Sequence, residues 1–165
     1  MEPDFIDLKI RYVSSDVPRL KIIKQGDWVD VYTAESVTIK QNEMELVSLG
    51  FALQLPKGYE AHLLPRSSLF KNYGVILANG MGIIDESYCG DNDIWKMALV
   101  CIEPKDSCST SPDGMNWHDV YNTHIPKGER IGQFRIMKKQ PIPNFIEVET
   151  LGNPDRGGFG STGKN

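Results

Sequence analysis

Residues 43–55 read EMELVSLGFALQL, and their pattern decides the fold. Leu49, Phe51, Leu53 and Leu55 recur at every second position, the repeat of a half-buried β-strand rather than the wider spacing of a helix face. The same alternation runs through FIDLKIRY (5–12), which sets Ile6, Leu8, Ile10 and Tyr12 on one side, and through IWKMALVCI (94–102), which does so with Trp95, Met97, Leu99 and Cys101. Shorter strand candidates are VDVYT, SVTIK, YEAHLL, GVILA, RIGQFRIM and FIEVE, separated by turn signals such as PKG at 56–58 and PKGER at 126–130. Only SSLFKNY, after Pro65, suits a helix, with a serine at its start to satisfy free backbone amides. So many short strands predict an all-β chain, a jelly-roll-like β-barrel or sandwich with one short helix. The polar, turn-rich stretch at 103–124, EPKDSCSTSPDGMNWHDVYNTH, is expected to be a surface insertion, and no internal repeat is present.

Composition narrows the function classes. A chain of 165 residues fits one domain with a substantial core. The 22 acidic residues outweigh the 18 basic ones, giving a net charge of −4 with no basic cluster, which argues against a nucleic-acid polymer as partner. No apolar run approaches the ~20 residues of a membrane-spanning helix, so the expectation is a soluble, cytoplasmic protein without a membrane partner. Cys89, Cys101 and Cys108 are odd in number and lack the close paired spacing of a zinc site, which points to reduced thiols. His62, His118 and His124 are scattered, as surface or hydrogen-bonded histidines are.

Three segments carry possible chemistry. In LLPRSSLFKNYG (63–74), Pro65 stops a strand, and Arg66, Ser67 and Ser68 then face the first turn of the expected helix, an arrangement that suits an anion. An ordinary helix start whose arginine meets a surface carboxylate fits the same pattern. In NGMGIIDESYCGDND (79–93), glycines surround an apolar pair and an aspartate, and Asn79 offers both a donor and an acceptor to a pyrimidine edge. A plain hairpin closed by an Asp-Glu turn is the alternative. In NPDRGGFGSTGKN (153–165), flexible amides beside Ser161 and Thr162 suit phosphate oxygens and Phe159 supplies a flat apolar face, although glycine-rich chain ends are commonly just frayed.

Taken together and in order, PRSSLFKNYG, NGMGIIDESYCGD, GERIGQF and RGGFGSTG resemble the second to fifth motifs of the trimeric dUTP pyrophosphatases (dUTPases), and GDWVDVYTA resembles the first more loosely. The resemblance runs from about residue 26 to the C-terminus. It implies a homotrimer with active sites at subunit interfaces. Each site would hydrolyse dUTP to dUMP and pyrophosphate by attack of water on the α-phosphorus, with Mg2+ chelated by the triphosphate. That activity limits uracil incorporation into DNA and supplies dUMP for dTMP synthesis. Residues 1–151 would form the β-barrel domain and 152–165 a mobile closing segment that is flexible until substrate binds.

The resemblance also implies roles. Asp85 would be the general base, Arg66 would offset phosphate charge, and Gln133 would reach the phosphates or the water; Ser67 would bond near the α,β-bridge, with Ser68 beside it. Asp30 would face the hydrated metal. Tyr88 would pack on the deoxyribose and exclude a 2′-hydroxyl, while Asn79, Gly82 and Ile84 would read uracil. Phe159 would cover the base, with Gly160, Ser161 and Thr162 on the phosphates. The family's tail arginine falls at Pro154 here, and Arg156 is the arginine present. The first motif lacks the common Ala-Gly pair before its aspartate. The 103–124 segment is either a partner-binding surface or a tolerated loop. Two other functions share these features: a dCTP deaminase-like enzyme, and a nucleotide-sensing regulatory module.

Overall fold

The alternating run at 43–55 is broken in the middle by Gly50, which has φ +76°. A Cβ there would lie 2.6 Å from Val17 Cγ1 and 2.9 Å from the Ala34 Cβ, so both the backbone angle and the close approach demand glycine. The bend sends Met44–Ser48 (β4) and Phe51–Gln54 (β5) into different sheets, yet Val47, Leu49, Phe51, Leu53 and Leu55 are all buried on the same core.

The computed structural model describes residues 5–22, 26–108 and 120–157. Its remaining strands are Lys9–Tyr12 (β1), Val29–Tyr32 (β2), Val37–Lys40 (β3), Tyr59–Pro65 (β6), Val75–Leu77 (β7), Gly82–Asp85 (β8), Lys96–Cys101 (β9), Asp106–Cys108 (β10), Val120–Ile125 (β11) and Arg130–Lys138 (β12), with one helix, Ser68–Tyr73 (α1). They form four small antiparallel sheets in the orders β1-β5, β10-β11-β3, β2-β12-β6-β8 and β4-β9-β7. This nearly all-β architecture agrees with the jelly-roll-like expectation. Tyr12, Phe51, Trp95 and Phe134 stack through the centre at centroid separations of 6.3, 5.3 and 5.1 Å. Phe51, Trp95 and Phe134 are at most 2% exposed, and removing one such ring typically costs about 3–5 kcal/mol.

The structure departs from the sequence reading in five places. FIDLKIRY is strand only over Lys9–Tyr12, and Ile6 and Ile10 remain 40% and 37% exposed because β1 pairs with β5 alone. FIEVE is not a strand: Pro141 and Pro143 remove ladder donors just before it, and Ile142, Phe145 and Ile146 lie 97%, 90% and 78% exposed on an extended arm. The 103–124 segment is not all loop, since β10 and β11 pair and β11 continues the sheet onto β3, with Thr123 and Ile125 fully buried. The stretch at 79–93 is not a hairpin closed by an Asp-Glu turn, because β8 ends at Asp85 and pairs with β6. Finally, no serine side chain caps α1; Ser67 holds the cap position in a helical conformation without a side-chain cap bond.

Candidate active site

The sheet β2-β12-β6-β8 carries the site residues on its outward side. Core residues alternate inward along it: Val31, Phe134, Ala61 and Leu63 are buried, so Asp30, Gln133 and the intervening Arg135, His62 and Glu60 take the other face. Asp30 sits on β2 opposite Gln133. Asp85 sits at the end of β8 opposite Glu60, which in turn pairs with Met137. From Gln133 to Met137 is about 13 Å along the strand, and β2 to β8 is about 14 Å across, so the two aspartates occupy corners about 20 Å apart.

The first corner is exposed and locally built. Asp85 closes a turn with its own neighbours: the Ser87 amide donates to Asp85 Oδ1 at 2.7 Å and the Tyr88 amide to the Asp85 carbonyl at 3.2 Å. The Ser87 hydroxyl, then the Ser87 amide and the charge of Lys139, hold the Asp85 carboxyl below its ordinary range against a small opposing burial effect. The Tyr88 hydroxyl donates to the Ile94 carbonyl at 3.3 Å, which sets the ring at the side of a cleft of about 540 Å³. Ile83, Ile84, Asp85, Ser87 and Tyr88 line that cleft with Leu46 and Ile94. Gly82 packs close to Leu63, where a Cβ would lie 3.3 Å from the leucine Cβ. Asn79 is exposed in the connection from β7, its carbonyl accepting the Met81 amide at 2.7 Å.

The second corner is buried and built from distant segments. Asp30 is 7% exposed and meets two guanidinium groups: Arg130 Nη1 donates to Oδ2 at 2.9 Å, and Arg66 Nε lies 3.7 Å from Oδ1. The Arg66 amide donates to the Ile131 carbonyl at 3.1 Å, which ties the start of the PRSS segment to β12. Arg66 also lines a cleft of about 230 Å³ with Phe70, Ile76 and Gly80. Gly74 ends α1 at φ +62°, where a Cβ would lie 1.6 Å from the Glu103 carbonyl oxygen.

Thus the structure gathers Asp30, Arg66 and Gln133 at one corner, with Ser67 and Ser68 next in the chain to Arg66, and Asp85, Tyr88, Gly82 and Ile84 at the other. Arg156 is exposed near the end of the arm, and Phe159, Gly160, Ser161 and Thr162 lie outside the described residues. Arg130 is the polar partner that the sequence reading passed over; its only signal was a place in GERIGQF beside Gln133. One Asp30 oxygen accepts from Arg130 and the other faces the Arg66 guanidinium at 3.7 Å. Among the described residues no group of three or more His, Cys, Asp or Glu side chains could hold a metal ion.

The dUTPase family model matches residues 28–101. The SPbeta prophage-derived deoxyuridine 5'-triphosphate nucleotidohydrolase YosS of Bacillus subtilis is 49% identical over 158 residues, covering 96% of this chain and 99% of that one. The deoxyuridine 5'-triphosphate nucleotidohydrolase of Corynebacterium diphtheriae is 36% identical, covering 82% of this chain and 78% of its own. In fold, the chain is similar to a mutant dUTPase of Staphylococcus bacteriophage 80alpha solved with dUpNHpp, at TM-score 0.73 and 22% identity over 95% of this chain and 98% of that one. With a relative 49% identical over nearly its whole length, this chain belongs to the dUTPase family.

Proposed function

We propose that this chain is an enzyme that hydrolyses dUTP to dUMP and pyrophosphate. The observation that carries this reading is the cleft that holds Asp85 and Tyr88 together, with the Asp85 carboxyl held below its ordinary range by the Ser87 turn and ionised at neutral pH, as an exposed carboxylate is. An ionised carboxylate in such a cleft takes a proton from attacking water, general-base help typically worth about 10²- to 10⁴-fold. The Tyr88 ring faces the sugar, where a 2′-hydroxyl collides, and the Asn79 and Gly82–Ile84 backbone reads the uracil edge without room for a 5-methyl group. Arg66, with Ser67, Ser68 and Gln133, takes the phosphates. The glycine-rich tail, with Phe159, Gly160, Ser161 and Thr162, closes over base and phosphates, and Arg156 lies at its base. Glu86 is committed elsewhere, to the Gly58 amide and to Lys139 at 3.5 Å, which argues against a glutamate activating water at the base as a deaminase requires.

Corners about 20 Å apart in one chain fit a site completed between copies better than one built within a single chain. The outward face of β4-β9-β7 supports this reading. Its cross-strand rows, Met44–Val100–Ile76 and Leu46–Ala98, are apolar, although the outer face of an antiparallel sheet ordinarily turns polar side chains to water. Leu46 at one edge lines the Asp85 cleft, and Ile76 at the other lines the Arg66 cleft. A head-to-tail contact across this face would bring Asp85 of one copy toward Arg66 of the next, as the trimer implied by the family resemblance requires. Mg2+ would enter as the companion of the triphosphate, with Asp30 facing it through water, and would supply charge neutralisation on the phosphate oxygens. The phage phi11 dUTPase, of related fold at TM-score 0.69, is described with a structural Mg(II) ion. The test is incubation with each dNTP and with UTP plus Mg2+, resolving monophosphate, pyrophosphate and deaminated products. Release of dUMP and pyrophosphate from dUTP alone is expected; a deaminated product, or no turnover, overturns the reading.

A further inference from the structure

Strand β12 contains an irregularity that the pairing makes explicit. Arg130 pairs with Tyr32 and Gly132 with Val31, so Ile131 is an extra residue without a partner on β2. In a regular strand Ile131 would share the outward side with Gln133. Instead it is fully buried, and Arg130 emerges on the Asp30 side. The bulge also fixes its neighbours. A Cβ on Gly132 would lie 2.6 Å from Met97 Sδ and 2.9 Å from the Leu64 carbonyl oxygen, while the Ile131 carbonyl accepts the Arg66 amide at 3.1 Å. One irregularity therefore holds the Arg66 backbone and delivers the Arg130 side chain to the carboxylate that the Arg66 side chain also approaches.

We propose that Arg130 is a positioning residue: it grips the buried Asp30 carboxylate, and Asp30 thereby aims the Arg66 guanidinium at the substrate phosphates. The distances set the division of labour. Arg130 holds Asp30 at 2.9 Å, whereas Arg66 at 3.7 Å is beyond a direct hydrogen bond and keeps its donors for the phosphates. A guanidinium does this better than an ammonium because its planar fork fixes direction as well as charge. This role rests on the dUTP-hydrolysing reading.

The experiment is a double-mutant cycle on the assembled enzyme with dUTP and Mg2+, using Arg130→Lys, Arg66→Ala and the pair, with thermal unfolding of each. Arg130→Lys keeps the positive charge beside Asp30 and is the variant expected to fold. Its kcat/KM should fall about tenfold in the wild-type background and change little once Arg66 is alanine, a coupling within the range seen for residues in one ion-pair network. Calorimetric titration with a non-hydrolysable dUTP analogue should show the same loss and the same coupling. Equal losses in both backgrounds overturn the role, since they mean that Arg130 acts independently of Arg66. So does a fall in unfolding temperature with unchanged kcat/KM, which marks a merely structural residue. If Arg130→Lys fails to fold, Arg130→Gln combined with Asp30→Asn removes both charges together, and unchanged kcat/KM in that pair overturns the role equally. A wild-type chain that does not turn over dUTP overturns the function and this role with it, whereas a wild-type chain matched by Arg130→Lys overturns the role alone.

Discussion

The two corners of the site sheet are built by opposite means. Around Asp85 the contacts are between residues two or three apart, in water, within one turn. Around Asp30 they join residues up to 100 positions apart, on a carboxylate that is itself out of water, through two partly exposed arginines and a bulge. A local, solvated corner can be altered with little effect on the fold, while a buried ion pair ties chemistry to stability. The largest effect is therefore expected at the first corner and should be purely kinetic. Asp85→Asn keeps the shape but cannot accept a proton, so kcat should fall about 10²- to 10⁴-fold with the unfolding temperature unchanged. Steady-state kinetics beside a thermal melt decide it; near-normal turnover removes Asp85 from the mechanism.

At the second corner the contrast reverses. Asp30→Ala removes a buried carboxylate from two guanidinium groups that keep part of their surface in water, so a loss of about 1.5–3 kcal/mol is expected, on the order of 5 °C in a melt for a chain of this size. A melt that does not move would mean that water already screens this corner, and the comparison breaks. Tyr88→Ala, back in the exposed cleft, should weaken discrimination against UTP by about 10- to 100-fold without lowering stability. The ratio of kcat/KM for dUTP and UTP measures it.

The smallest effect sharpens the electrostatics. The Ser87 hydroxyl is the main influence lowering the Asp85 carboxyl, so Ser87→Ala should raise that pKa toward the ordinary aspartate value. A base works when deprotonated. Activity of the variant should consequently fail at a higher pH on acidification than that of the wild type, while the neutral plateau is kept. A pH profile of kcat/KM reads this directly, and an unmoved acid limb would assign the lowering to the backbone turn instead.

The difference between the corners also explains what the sequence made legible. GIIDESY is contiguous, so its turn and its residue types can be read where they stand. The partners of Asp30 cannot, because the register of β2 against β12 and the extra residue at Ile131 arise only when the sheet forms. The same limit governs the fold. Alternation found the core side of 43–55 and 94–102 correctly, since a buried face imposes period two on any strand. It could not see that Gly50 divides one run between two sheets, because that depends on Val17 and Ala34 crowding the glycine. It also credited FIEVE with a strand, where hydrophobic pattern was present but no strand among the described residues pairs with it.

The apolar outer face of β4-β9-β7 carries a consequence for how much protein a cell must hold. With Met44 and Leu46 51% and 58% in water, a lone chain sits at a free-energy disadvantage that association removes, so assembly obeys mass action. A site shared between copies inherits that law. For the proposed trimer, specific activity should stay constant at high concentration and decline on dilution, and a constant specific activity across the dilution series would count against a shared site.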